Sequence, residues 1–299
     1  MTTAIFAHFD PHGLVAQHVV DHLDALVEVA ERVIVVSTAR LVGTERAKLA
    51  SRATVITRPN EGYDFASWAH VLRPMADTET SETVILANDS VIGPLTPYSD
   101  VFEDVKRRNG GALPPVLGPV RSDELAPHLQ SFFFRFDAQV VRTSAFRAFW
   151  LSFEARSDRR AVIEQCELGL SRVLMAAGYE LAAVFEPTDA ERTRSAYLQA
   201  SRGRLRTQAE EEQFVDDYRQ RTPPPSNLMI GLWDCALDGR LPWVKFETLR
   251  DDPYRIGSDL MLEALRHRWP QRFDGVADHM DRTSEALAIL RNVRPQTTP

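Results

Sequence analysis

The sequence predicts an α/β protein with a mixed, mostly parallel sheet flanked by helices. Three observations predict it. Short apolar runs alternate with helical periodicities through the first hundred residues, the pattern of βαβ units. Each run ends in polar residues: His8 and Asp10, Ser37, Arg58 and Asn60, then Asn88, Asp89 and Ser90. Right-handed crossovers place the C-terminal ends of parallel strands on one edge, so these groups are expected to share a rim. Open α/β sheets bind charged ligands along such a rim.

The elements follow in order. Ala4–Phe9 is an apolar run broken by Pro11, His12 and Gly13. From Leu14 to Glu31, apolar residues recur at helical spacing. Val33–Ser37 (VIVVS) reads as a buried β-branched strand, Thr44–Ala50 as a short helix and Ala53–Thr57 as a third strand. Asp64–Met75 is helical, and Val84–Ala87 is the fourth strand. After a helix at Tyr98–Arg108 the pattern changes. Pro114–Val120 and Ser131–Phe136 read as strands without a long helix between them, which suggests an antiparallel member in a mixed sheet. Phe146–Phe153 and Arg160–Ala177 are helical, with Gly178 as a C-terminal stop, and Glu180–Phe185 is a last strand. Residues 188–225 are charged and proline-punctuated, and read as an arm or linker. The tail is helical in pattern at Asn227–Leu237, Asp259–Arg268 and Ala277–Val293. The expected division is a main α/β domain at 1–187, the arm at 188–225, and a helical C-terminal extension at 226–299 that packs on the first domain.

Bulk properties narrow the function. The 299 residues are 44% hydrophobic and 26% charged, ordinary for a globular protein. A net charge of -7 and the lack of a basic patch argue against nucleic acid as a partner. The basic run Arg192–Arg206 adjoins the acidic run Glu210–Asp217, the mark of a solvated helical face. The two cysteines, Cys166 and Cys235, have neither disulfide nor metal spacing. No signal peptide is expected, and no apolar run reaches the roughly 20 residues that span a bilayer. The expected location is the cytoplasm, free or resting on the inner face of the plasma membrane. A dehydrogenase is disfavoured, because Pro11-His12-Gly13 cannot form the Gly-rich phosphate loop of a dinucleotide site.

Two stretches carry the chemistry. In Asn60–Asp64 (NEGYD), Gly62 permits a left-handed turn. Asp64 can cap the next helix, while Asn60 and Asp64 can accept hydrogen bonds from a base or ribose. In Asn88-Asp89-Ser90, Asp89 can supply a hard oxygen to a divalent cation bridging two phosphates, and Asn88 or Ser90 can contact ribose or phosphate. Lys245, one of three lysines, stands in the apolar setting PWVKF and can neutralise a diphosphate. Glu164 and Glu167 lie three apart and are expected to share a helical face, with Glu167 directed inward. His128, Gln130 and Ser131 precede three Phe and can line an acceptor cleft. Trp68 and Trp150 read as core, and Trp233 and Trp243 as platforms for an acceptor sugar.

His8-Phe9-Asp10, Ser37, Arg58-Pro59-Asn60-Glu61-Gly62-Tyr63-Asp64-Phe65, Asn88-Asp89-Ser90, Gly93-Pro94, His128-Leu129-Gln130-Ser131 and Glu167-Leu168-Gly169-Leu170-Ser171 follow the order seen in the rhamnan synthesis F family. The chain resembles that family from about Ala4 to Gly178, and more loosely through Asn227 and Leu241–Pro253. The resemblance implies a GT-A-like, Rossmann-type fold and an inverting glycosyltransferase that builds bacterial surface polysaccharide. It implies a dTDP-, UDP- or GDP-linked sugar as donor, with rhamnose foremost, and a growing glycan as acceptor, lipid-linked or free. Glu167 matches the acidic position that serves as base, beside Asp89 as the second catalytic group. His8, Asp10, Ser37, Arg58, Asn60, Gly62, Asp64, Asn88, Ser90 and Lys245 fall to the nucleotide-sugar side, and His128, Gln130 and Trp243 to the acceptor. Many GT-A enzymes carry two carboxylates as Asp-x-Asp. Here Asn88 and Ser90 flank a single Asp89, which leaves a requirement for Mg2+ or Mn2+ at Asp89 open. It also leaves open an alternative function, a glycosyltransferase-like glycan-binding or scaffold module without turnover.

Overall fold

A computed structural model describes residues 1–76, 82–156, 158–202, 207–219 and 224–293. Four parallel strands form the heart of the sheet: β1 (Thr2–His8), β2 (Arg32–Ser37), β3 (Thr54–Thr57) and β4 (Thr83–Asn88), in the order β3-β2-β1-β4. The crossovers are α1 (Gln17–Val27), α2 (Gly43–Ala50) and α3 (Tyr63–Ala76). Beyond a two-residue strand β5 (Val91–Ile92) and helix α4 (Tyr98–Arg108) come β6 (Val116–Ser122), β7 (His128–Leu129) and β8 (Phe133–Phe136). β8 inserts antiparallel between β4 and β6, and β7 folds back on β6. After α5 (Ala138–Val141), α6 (Ser144–Leu151), α7 (Arg159–Val162) and α8 (Leu168–Ala176), β9 (Ala182–Phe185) rejoins β6 in parallel. The mixed, mostly parallel sheet is therefore as the sequence predicts.

Alternation along the strands assigns the faces, because successive strand side chains point to opposite sides. Ala4 and Phe6 of β1, with Ile85 and Ala87 of β4, enter one core with α1, α2 and α4. Ile5 and Ala7, with Val84 and Leu86, enter the other with α3, α6 and α8. Trp68 and Trp150 are fully buried in this second core, as expected.

The C-terminal extension is continuous with the first core. α11 (Leu228–Gly231), β10 (Val244–Lys245), α12 (Phe246–Asp251), α13 (Ser258–Arg268) and α14 (Val276–Val293) contribute Met229, Trp243, Met261, Leu265 and Phe273 to it. β10 pairs antiparallel with β5, placing Lys245 beside Val91. The Asn227–Leu237 helix is shorter than its pattern suggests, ending in a 3-10 turn at Trp233–Ala236.

The charged segment is also more anchored than its composition implies. α9 (Asp189–Ser201) has a complete capping box at Thr188 and Glu191, and it buries Ser195 and Ala196. Ser195 packs so closely on Gly231 that no Cβ fits there, and its hydroxyl accepts from Ser226 at 2.8 Å. α10 (Gln208–Arg219) follows. Residues 203–206 and 220–223 of the expected arm lie outside the described residues. Among the described residues no helix is long and apolar enough to cross a membrane.

Candidate active site

Strand order reverses between β1 and β4: the chain runs from β1 outward to β3, then returns to the other side of β1. Such a switch point opens a crevice at the carboxyl ends of the two strands. Here the two strand ends are tied together by a hydrogen bond in which the Phe9 N–H donates to Asp89 Oδ2 at 2.6 Å. Asn88 is buried beside it. Its Nδ2 donates to Asp64 Oδ2 at 2.7 Å, while its Oδ1 accepts from the Ser90 hydroxyl at 2.6 Å and from the Ser90 N–H at 3.1 Å. One amide thus fixes the end of β4 against the first turn of α3. Helix α3 begins at Tyr63, so Asp64 lies inside its first turn and answers to Asn88, correcting the expectation of a simple helix cap.

The carboxyls of this cluster feel one another. Burial pushes Asp64 up to about 6, with the charge of Glu167 adding to the rise and the Asn88 bond and Arg58 opposing it. Burial, then the nearby charge of Asp64, holds Asp89 well above the usual carboxylate range. Low hydration and like charge both favour the neutral acid. Asp64 therefore stands electrostatically between Asp89 and Glu167.

Glu167 reaches this position through a local irregularity. Residues 163–167 form a π-helical turn between α7 and α8, a widened turn that recurs at functional sites. The Ser131 hydroxyl donates to Glu167 Oε1 at 2.8 Å, and His128 Nε2 stands 3.9 Å from Oε2. His128 Nδ1 donates to the Ala126 carbonyl at 2.8 Å, which fixes the ring with Nε2 facing Glu167. Glu164 instead pairs with Arg160 at 2.8 Å on the surface. The two acids do not share surroundings, because the π turn breaks the three-residue spacing of an α-helix.

Several of the expected ligand residues bond within the protein. His8 Nδ1 meets Ser37 Oγ at 2.9 Å, both residues buried. Burial lowers His8 to about 4, against the opposing charge of Asp10 and a bond to the Leu14 backbone. Asp10 Oδ1 accepts from the N–H groups of His12 and Leu14 at 2.8 and 3.1 Å, shaping the turn into α1. Arg58 ties down the NEGYD turn: Nε donates to Ser67 Oγ at 3.1 Å, and the terminal nitrogens donate to the carbonyls of Pro59, Glu61 and Tyr63 at 2.7–3.0 Å. Asn60 remains exposed in that turn. Gly62 has φ +71°, and a Cβ there would lie 2.7–2.8 Å from Ala66 and Ala155.

On the acceptor side, Gln130 is buried and donates to Asn227 Oδ1 at 3.3 Å, while its own carbonyl oxygen has no partner. Trp243 corrects the sequence reading. It is fully buried against Tyr98, Phe132 and Phe133, so no sugar can stack on it, and Trp233 packs partly buried on the same core. Lys245 lies close enough to Glu124 to oppose the upward shift that lost hydration gives that carboxyl. Glu124, Asn227 and the histidines below carry no sequence signal, since each is recruited by a contact across the fold.

The C-terminal extension closes over the turn after β1. His279 of α14 packs against Phe246 and His18, with ring centroids 4.7 and 5.1 Å apart, and its Nδ1 stands 3.9 Å from Asp10 Oδ2. His18 Nε2 reaches the Asp89 carbonyl at 3.3 Å. Among the described residues no group of three His, Cys, Asp or Glu side chains is arranged to hold a metal ion.

The fold and the rim define an α/β protein with a cluster of carboxylates at the switch point of its sheet. The family Rhamnan synthesis protein F matches residues 33–202, and the chain belongs to that family. Among curated proteins it is 26% identical to uncharacterized protein y4gN of Sinorhizobium fredii, over 62% of this chain and 49% of that one. It is 32% identical to virulence protein VirA of Vibrio anguillarum, over 38% of this chain and 36% of that one. The chain thus spans half or less of the length of these relatives. Among solved structures, a nucleotidyl transferase from Methanothermobacter thermautotroptrophicus aligns with 61% of this chain and 86% of its own at 11% identity and a TM-score of 0.35. A 4-diphosphocytidyl-2C-methyl-D-erythritol synthase aligns with 61% and 87% at 10% identity and a TM-score of 0.34.

Proposed function

We propose that the protein is a glycosyltransferase with a GT-A-like active site. It transfers a sugar, rhamnose or a related deoxysugar foremost, from a nucleotide diphosphate to a growing bacterial surface glycan, with inversion. The observation that carries this reading is the linkage of Asp89, Asp64 and Glu167 through Asn88 and mutual charge at the switch-point rim. Glu167, oriented by Ser131 and faced by His128, accepts the proton of the acceptor hydroxyl. The acceptor oxygen then bonds to the anomeric carbon from the face opposite the phosphate, and the bond from that carbon to the phosphate oxygen breaks. The nucleotide diphosphate leaves with the electron pair. Lys245, on the strand paired to β5, supplies positive charge for that leaving group.

Asp89 and Asp64 are the residues that would hold a divalent cation of the Mg2+ or Mn2+ kind. Such ions take one or two carboxylates and complete their shell with phosphate oxygens and water, and Asp89 with Asp64 offers two. Each is raised by its surroundings, including carboxyl neighbours, which a cation would relieve. When bound, it would neutralise charge on the diphosphate.

Calorimetric titration with dTDP and UDP, with and without Mg2+ or Mn2+, tests the donor assignment. Binding of either nucleotide below millimolar concentration is expected, and the absence of both defeats the reading. Donor hydrolysis then separates an enzyme from a module without turnover: hydrolysis by the wild type that collapses in Glu167→Gln is expected. Nucleotide binding with no turnover of any nucleotide sugar would establish the module instead.

A further inference from the structure

We propose that Tyr63 is the stacking platform for the donor's planar nucleobase, and that Arg58 is the positioning residue that holds it there. This rests on the reading of the protein as a nucleotide-sugar enzyme and assigns the part of the donor that the carboxylate cluster does not address.

Tyr63 has φ +53° and directly follows Gly62 at φ +71°. Left-handed backbone is natural for glycine and unfavourable for an aromatic residue, whose Cβ crowds the following carbonyl. Such conformations persist where surrounding structure over-determines them, and they concentrate at ligand clamps and active sites. The over-determination is visible. A single guanidinium, Arg58, donates to the carbonyls of Pro59, Glu61 and Tyr63 and to the Ser67 hydroxyl. Behind the turn, Ala66 and Ala155 leave no room for a side chain at residue 62.

The ring is not part of the apolar interior. Tyr63 belongs to neither apolar core and is 42% exposed. Phe9 and Tyr63 are the large aromatic side chains that are exposed among the residues whose side chains are described, at 42% each. Both adjoin the same cluster: the Phe9 N–H binds Asp89, and Tyr63 precedes Asp64, which binds Asn88. A strained, pinned and part-exposed ring beside the carboxylate rim of a nucleotide-sugar enzyme calls for a flat partner. Asn60 and Asp64 flank it in sequence and carry oxygens able to accept from a base N–H. Stacking on an aromatic side chain suits any base, since each has a π-face.

The test is dTDP binding to wild type, Tyr63→Phe and Tyr63→Gly, read by titration, by the thymine proton resonances and by thermal melting. Stacking predicts that Tyr63→Phe keeps the wild-type affinity, while Tyr63→Gly weakens it by about tenfold or more, within the range such contacts give on truncation. The thymine methyl and ring protons move upfield on binding wild type and Tyr63→Phe, and this shift vanishes with Tyr63→Gly. The melting temperature of Tyr63→Gly holds or rises, because glycine adopts the positive φ without strain. Unchanged dTDP affinity in Tyr63→Gly, or no upfield shift with wild type, overturns the proposal while leaving the nucleotide-sugar reading intact. So does a loss seen with dTDP-rhamnose and not with dTDP, which would put the sugar on the ring. Failure of the wild type to bind either dTDP or UDP overturns the reading itself.

Discussion

Asn88 joins two elements that are far apart in sequence: its amide donates to the Asp64 carboxylate across 2.7 Å, while its carbonyl holds Ser90. The half-buried Asp64 carboxyl depends on this donor. Removing one partner of a buried hydrogen bond to a charged group leaves the other unsatisfied, at about 1–3 kcal/mol. Asn88→Ala should lower stability by about that amount. Asn88→Asp should be worse at pH 7 than at pH 5, because it sets a second carboxylate against Asp64. Chemical denaturation at the two pH values checks both.

Glu167→Gln keeps the shape of the side chain and its bond from Ser131, and removes the proton acceptor. Loss of a general base lowers turnover by about 10²–10⁴-fold, with nucleotide affinity unchanged. Steady-state kinetics with any active donor, beside a binding titration, measures the split. Equal losses in binding and turnover would give Glu167 a structural role.

Acid should destabilise the protein through its buried histidines. Burial, the largest cause in each case, lowers His8 and His279 from 6.5 to about 4, and His18 and His22 to about 3. Each stays neutral in the folded state while the unfolded chain takes up a proton, so stability is lost as pH falls from about 6.5 toward 3–4. Asp64, raised from 3.8 to about 6, acts with the opposite sign: the folded state holds the extra proton, and stability is gained as pH falls through that window. Asp89 shares that sign. Four histidines outweigh two carboxyls, so net stability should fall below pH 6.5. Asp64→Asn, which removes one opposing contribution, should steepen the fall, as denaturant midpoints from pH 7 to pH 4 will show.

Arg58→Lys should not be tolerated. A lysine cannot reproduce the planar fork that bridges three carbonyls and a hydroxyl. We expect a loss of about 1–3 kcal/mol, on the scale of charged hydrogen bonds, together with weaker dTDP binding as the turn relaxes. Arg58→Lys should lose affinity less than it loses stability if the guanidinium positions the turn rather than touching the ligand.

Trp243→Ala should act on the fold rather than on the acceptor. Truncating a large buried aromatic costs about 3–5 kcal/mol, and this indole joins the extension to Tyr98, Phe132 and Phe133. Trp243→Phe should retain acceptor KM and lose only part of that stability, which melting and kinetics would separate.

The strand and helix order was legible in the sequence because alternation and helical periodicity are local. The runs Ala4–Phe9 and Val84–Ala87 carry the two-residue repeat that sends Phe6 and Ile85 to one core and Ile5 and Leu86 to the other. The gathering of His8, Asp10, Asn88 and Asp89 at one edge followed from crossover handedness. Less legible were the π turn at residues 163–167, which moves Glu167 away from Glu164, and the docking of α9, whose few buried side chains are small.

By itself, then, the sequence determined an α/β sheet with a polar edge centred on Asp89, since backbone period and chain handedness act through neighbours along the chain. Only the tertiary structure decided which partner within the protein each of those polar groups takes. His8 is satisfied by Ser37 and Arg58 by its own turn, whereas Asp64 and Glu167 are drawn together across a hundred residues. A polar side chain takes the nearest partner in space, and that partner is fixed by packing between elements that no local pattern records.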